Sequence, residues 1–181
     1  ISIFPIILSL ARQNRIINVI ICKESATMVS NIPNVNIFVV NNINEAIDFF
    51  KFDNKEKYRF KKDILEYKFL DIKDEKYFYI QNYDVDFDDI LGQDIAKFAA
   101  LVSAAGNHNL LMEGSPGCGK SMIAKRLKYI MPPMSLDEIL EKAKLQALDY
   151  KKVDFVPQRS YRSPHNSSTK SSIFGGGCDF Q

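Results

Sequence analysis

Asn109-Leu-Leu-Met-Glu-Gly-Ser-Pro-Gly-Cys-Gly-Lys-Ser121, continuing as Met-Ile-Ala-Lys-Arg-Leu-Lys-Tyr-Ile130, is the stretch whose reading decides the fold. The mostly apolar run Asn109 to Glu113 has the composition of a buried parallel strand entering a turn. Gly114, Gly117 and Gly119 then let the backbone take positive φ and come close to a bound atom with no Cβ in the way. Beyond Gly119, Met122, Ile123, Leu127 and Ile130 recur at three- and four-residue spacing until Pro132 and Pro133 close a helix. The order predicted is strand, loop, helix.

The loop itself, Gly114, Ser115, Pro116, Gly117, Cys118, Gly119, Lys120 and Ser121, matches the phosphate-binding P-loop pattern throughout. Successive amides of such a loop ring a phosphate, and the N-terminus of the following helix adds partial positive charge. Lys120 is placed to reach the β- and γ-phosphates of ATP, and Ser121 to offer its hydroxyl to Mg2+. A glycine-rich turn that only caps a helix has no use for Lys and Ser at these two offsets.

Outward from the loop, composition sets limits. The 181 residues are 46% hydrophobic and 25% charged, enough for one substantial core or two small ones. With 24 basic and 22 acidic residues the net charge is +2, so any nucleic-acid contact has to be local. Cys22, Cys118 and Cys178 are scattered and odd in number, which fits a reducing compartment and makes cytoplasm the expectation. Cys118 reads as a small filler of the loop, with an oxidisable thiol as the competing reading. His108 and His165 stand alone, so no metal site built of protein ligands is expected. The apolar start, Ile1 to Leu10, is too short to cross a bilayer and has no basic leader; it reads as buried core, and no membrane partner is expected.

Helical character at Ile6–Arg12, a β-branched run at Asn18–Cys22, a helix-compatible Ser25–Ser30, a second strand at Val35–Val40 and a helix Glu45–Phe50 capped by Asn44 spell a parallel α/β unit. Between Lys51 and Tyr83 mixed charge and aromatics take over, predicting a solvated hairpin or helix. Asp94–Ala105 is predicted to turn Ile95, Phe98, Ala99, Leu101, Val102 and Ala105 onto the sheet of the loop, with Gly106 as stop. Ser135 and Glu138 form a capping box for a helix to about Asp149 that buries Leu136, Ile139, Leu140, Ala143 and Ala147. The Ser-rich remainder with Gly175–Gly177 reads as loop.

Two separated stretches carry a family resemblance. Asp86 to Ser135, with Gly92-Gln93, Ala104-Ala105-Gly106 before His108 to Leu111, and then the phosphate loop, resembles the magnesium-chelatase-like AAA+ ATPases of the YifB/ComM group. Arg159 to Gly177 resembles the same family's arginine-proline-histidine and triple-glycine signature, departing from it at Ser160 and Asn166, as Cys118 departs within the loop. The resemblance implies an α/β fold made of the N-terminal part of a P-loop AAA+ domain at residues 86–181, truncated before its Walker B strand. It further implies a linker at 53–85 and, more loosely, the end of a Lon-protease-like domain at 1–52. It places Gly92 and Gln93 beside the adenine, and implies a homo-oligomeric ring whose ATP hydrolysis remodels DNA in competence or recombination.

The lack of an initiating Met and the end at Gln181 lead to the expectation of a piece of a longer protein. Neither the Walker B acids nor an arginine finger is identifiable in the chain, so no catalytic residue is named; Phe69-Leu70-Asp71 precedes the loop and lacks an adjacent acid. Arg159, Arg162 and Lys170 are candidate phosphate-backbone contacts, against a merely solvated loop. The competing function is a nucleotide-binding module without catalysis. A P-loop kinase fits the Ser135 helix and the triple glycine poorly.

Overall fold

Along the chain run α1 (Ile3–Ala11), β1 (Ile17–Ile21), α2 (Lys23–Val29), β2 (Val35–Val39), α3 (Ile43–Lys51), a 3-10 turn (Lys55–Tyr58), β3 (Lys68–Ile72), β4 (Glu75–Tyr79), α4 (Asp94–Gly106), α5 (Lys120–Ile130), β5 (Met134–Ser135), α6 (Leu136–Leu148) and α7 (Lys170–Phe174). The structure is a computed structural model that describes residues 3–13, 15–52, 55–61, 67–83, 85–149 and 151–174. Gly175–Gly177 and Cys178, singled out in the sequence, lie outside the described residues. Two units divide the chain: Ile1–Asn82 with Pro133–Pro157, and Tyr83–Pro132 with Gln158–Gln181.

In the first unit β1 and β2 pair in parallel from Ile17↔Val35 to Ile21↔Val39, as a strand, helix, strand order requires. Val35 and Ile37 turn inward to meet Phe4, Ile7 and Leu8 of α1 and Ala26 and Val29 of α2. α1 begins earlier than the periodicity indicated, because Pro5 falls in its first turn, where a missing N–H costs no helical bond. α3 is capped by Asn42 rather than by Asn44: the Asn42 side chain accepts from Glu45 N at 2.9 Å, and Asn44 lies within the helix.

The charged aromatic stretch contains a hairpin, β3 antiparallel to β4, reversed at Lys73 and Asp74, both at positive φ as a two-residue turn demands. β5 adds to β4 through Phe78↔Met134, and Phe78, Met134 and Ile139 form a small buried cluster. The capping box on α6 is present in both directions, Glu138 N to Ser135 Oγ at 3.2 Å and Ser135 N to Glu138 Oε2 at 3.0 Å. Leu140, Ala143 and Ala147 of α6 complete the core around α1, β1 and β2. Among the described residues no helix is long and apolar enough to cross a membrane.

After α6 the chain is tied back by Asp154, which accepts from Lys142 Nζ at 2.7 Å and from Gln146 Nε2 at 2.9 Å. Burial pushes the Asp154 carboxyl up, but the Lys142 and Gln146 hydrogen bonds outweigh it and hold it below the ordinary carboxylate value. A carboxylate lowered in the folded state stabilises above its unfolded pKa, about 3.9, and loses that contribution as pH falls through the folded value. Asp154→Ala is therefore expected to cost about 1 kcal/mol, less than a fully buried charge-assisted pair, because the carboxylate is 45% exposed. Urea titrations should show that difference constant from pH 6 to 8 and fading below about pH 4; a gap that persisted in acid would contradict it.

In the second unit two expectations are corrected. Asn109–Glu113 joins no ladder among the described residues, and the parallel pair belongs to the first unit. A strand is defined by a neighbour that shares its hydrogen bonds, and no described strand pairs with this run. Leu110 and Met112 nevertheless pack on the cluster of Phe87, Ile90, Ala100 and Ile123, while Leu111 between them is 92% exposed, the alternation of an extended run. The second correction concerns α4, whose expected inner face is outward: Ile95 is 88% exposed and Phe98 68%. Its buried stripe is Ala100, Ser103 and Ala104, small residues that allow α5 a close approach. The apolar side chains of α4 cover most of its circumference, so periodicity did not identify the packed side.

A third correction falls on the Ser-rich remainder. Expected as loop, it holds α7, whose first turn is capped by Thr169 through Ser172 N to Oγ1 at 3.3 Å.

Candidate functional site

Gly114, Gly117 and Gly119 stand at φ +156°, +81° and +90°, so the three glycines predicted from sequence are the positions where the loop requires them. A Cβ on Gly114 would lie 3.1 Å from Cys118 Sγ, whereas one on Gly117 or Gly119 would meet nothing within 4 Å. Space is therefore left over the second half of the loop, and only backbone conformation reserves those two sites for glycine. Cys118 packs across the loop onto Gly114, the position of a filler.

Gly119 is the N-cap of α5 in left-handed conformation, and no side chain caps that end; its first turn also carries no acidic residue. An eleven-residue helix thus presents its positive end with neither a capping side chain nor an acidic residue in its own first turn. Lys120 opens the helix and turns back over the loop, donating from Nζ to Gly114 O and Ser115 O, both at 2.7 Å, and to Cys118 Sγ at 3.4 Å. The ammonium is thereby held at the centre of the loop, and an anion entering there would take it over from two carbonyl oxygens. Ser121 follows with an exposed side chain on the same first turn. An uncapped helix end, one ammonium and an adjacent hydroxyl make a donor set suited to a polyphosphate and to the hard cation that accompanies it. No ligand is part of the structure, and among the described residues no cluster of three or more His, Cys, Asp or Glu could hold a metal by itself.

Gly92 and Gln93 form a sharp bend, both left-handed at φ +66° and +60°, that leads into α4. Gln93 is the N-cap, its side chain exposed and making no capping bond. Ile90 just before is buried with Phe87 against Ile123, which fastens the bend to α5; Leu91 faces solvent. Sequence reasoning missed Arg126, whose Nε donates to Asp86 O at 3.0 Å. A single arginine six residues past Lys120 carries no pattern, and only the fold shows what it meets. Of the candidate cations near the end of the chain, Arg159 donates to Pro132 O at 3.3 Å, and Arg162 and Lys170 are exposed.

Residues 86–181 match the family described as magnesium chelatase, subunit ChlI. The chain is 31% identical over 178 residues to the competence protein ComM of Haemophilus influenzae, covering 97% of this chain and 33% of the relative. It is 44% identical over 96 residues to YifB of Salmonella typhimurium, covering 51% of this chain and 19% of the relative. An archaeal Lon protease of Archaeoglobus fulgidus is 36% identical over 70 residues, 39% of this chain and 11% of that protein. The chain thus spans a third or less of the length of these relatives. With the family model matching more than half of its residues, and a ComM protein aligning along nearly all of them, the chain belongs to the magnesium-chelatase-like family and to its YifB/ComM group.

Proposed function

We propose that this protein binds ATP with Mg2+ and is the nucleotide-binding part of an AAA+ ATPase that uses hydrolysis to remodel DNA. The observation that carries the proposal is the loop Gly114 to Ser121, with its uncapped helix end and the Lys120 ammonium at its centre. In this reading the amides and Lys120 hold the β- and γ-phosphates, the Ser121 hydroxyl ligates Mg2+, and Gly92 and Gln93 lie against the base. A cation held by the Ser121 hydroxyl would supply shielding of the charge that accumulates on the phosphates. Gln93 has both an acceptor and a donor to offer the Watson–Crick edge of adenine.

Residues 86–181 would then be the N-terminal part of the ATPase domain, 53–85 a linker and 1–52 the end of a Lon-protease-like domain. The DNA substrate and a homo-oligomeric ring rest on family likeness, and the name of the ComM relative points toward competence. Calorimetric titration with Mg-ATP should give saturable heat, stronger than with AMP because most of the donors face phosphates; absence of heat with any purine nucleotide would end the proposal. Single-turnover assays at high protein concentration then separate a hydrolysing protein from a binding module.

A further inference from the structure

We propose that Arg126 is the residue that positions the nucleobase: it holds the bend carrying Gly92 and Gln93 onto α5, so affinity for a purine depends on it and affinity for phosphate does not. The inference rests on the assignment of Gly114–Ser121 to phosphates and of Gly92-Gln93 to the base.

Arg126 lies on α5 six residues beyond Lys120, about 9 Å along the axis from the phosphate end. Its side chain is only 19% exposed. Two of its nitrogens are engaged in different directions: Nε donates to Asp86 O at 3.0 Å, and Nη2 lies 3.6 Å from Asp89 Oδ2. The same Asp89 Oδ2 accepts from Asp86 N at 2.9 Å, and Asp88 N donates to Asp86 Oδ1 at 3.2 Å. Residues 86–89 are thus a closed turn, stitched to α5 by one guanidinium. A lysine ammonium is a point donor and does not reproduce that planar two-directional fork.

From this turn the chain passes through buried Phe87 and Ile90 directly into Gly92 and Gln93. Gln93 is not glycine yet sits at φ +60°, a left-handed conformation that an ordinary residue holds only where the surroundings impose it. On its far side Lys97 N donates to Gln93 O at 2.9 Å as α4 begins. The bend is therefore clamped between α4 and the Arg126 turn. Releasing Arg126 removes the polar anchor of the bend and leaves the burial of Phe87 and Ile90 against Ile123 and the start of α4 to hold it, while Lys120 lies at the other end of α5, untouched.

The test compares Mg-ATP with magnesium tripolyphosphate, which presents the phosphates without a base, by calorimetric titration of the intact protein. Arg126→Gln is expected to weaken ATP about tenfold, the size of one charge-assisted bond, Asp89→Asn by about threefold because it loses only a half-exposed ion pair at 3.6 Å, and tripolyphosphate should weaken by less than about twofold in both. Arg126→Lys should fall between wild type and Arg126→Gln. Equal weakening of both ligands, or unchanged ATP affinity in both the Arg126→Gln and Asp89→Asn proteins, would overturn the proposal while leaving the phosphate site standing. Wild-type protein that bound neither ligand would instead bring down the phosphate assignment, and this inference with it.

Discussion

Lys120→Ala is expected to raise the dissociation constant for Mg-ATP by about 100-fold with the fold intact. Two charge-assisted bonds from an ammonium to phosphate oxygens are worth about 3–5 kcal/mol together. Part of that is already spent, because wild-type Lys120 must leave Gly114 O and Ser115 O, each at 2.7 Å, before it can grip a ligand. Two bonds to neutral carbonyls offset about 1–2 kcal/mol, leaving roughly 3, or about two decades in affinity. Alanine favours a helix at least as well as lysine does, so far-UV dichroism should hardly move, while loss of the bonds to Gly114 O and Ser115 O should lower the melting temperature of the free protein by only a few degrees. Lys120→Arg keeps the charge but replaces a compact ammonium with a planar, rigid fork, and an intermediate affinity is expected. A titration curve for the alanine protein superimposable on wild type would show that the ammonium contributes nothing to the site.

The backbone of the Gly114–Ser121 loop and the start of α5 were legible because their residue types answer local demands. Glycine is needed where φ is positive, and Lys120 and Ser121 stand at fixed offsets from a helix start, so neither depends on what packs nearby. The Ser135–Glu138 capping box was legible for the same reason, as both its bonds lie within four residues. Partners remote in sequence were not. Ala100, Ser103 and Ala104 form the packed side of α4 although Ile95 and Phe98 are the stronger hydrophobes, since close approach of a second helix selects small side chains over large ones. The Asp86–Asp89 turn is held by an arginine forty residues away, and nothing local announces that pairing. Asn42 against Asn44 as the cap of α3 was a choice between two residues of equal propensity, decided by which amide came within reach.

Leu140→Ala tests the longest-range of these features, the return of α6 to the core built by the first residues of the chain. Leu140 is 1% exposed among Phe4, Ile7, Val35 and Ile37, and its truncation removes a side chain those residues can only partly close over. The expected loss is about 2–5 kcal/mol, a large share of what a unit this small possesses. Leu145 on the same helix is 54% exposed and serves as the internal control. Its replacement by alanine should change stability by no more than about 0.5 kcal/mol, so helix propensity cannot account for a difference between the two variants. Hydrogen exchange distinguishes where the damage falls. Amides of β1 and β2 are expected to lose protection in the Leu140→Ala protein, because their core is the one opened, while those of α5 keep more of theirs. If α5 lost protection first and the β1–β2 pair kept it, α6 would belong energetically with the phosphate-loop unit, and the assignment of its buried face to the N-terminal core would be wrong.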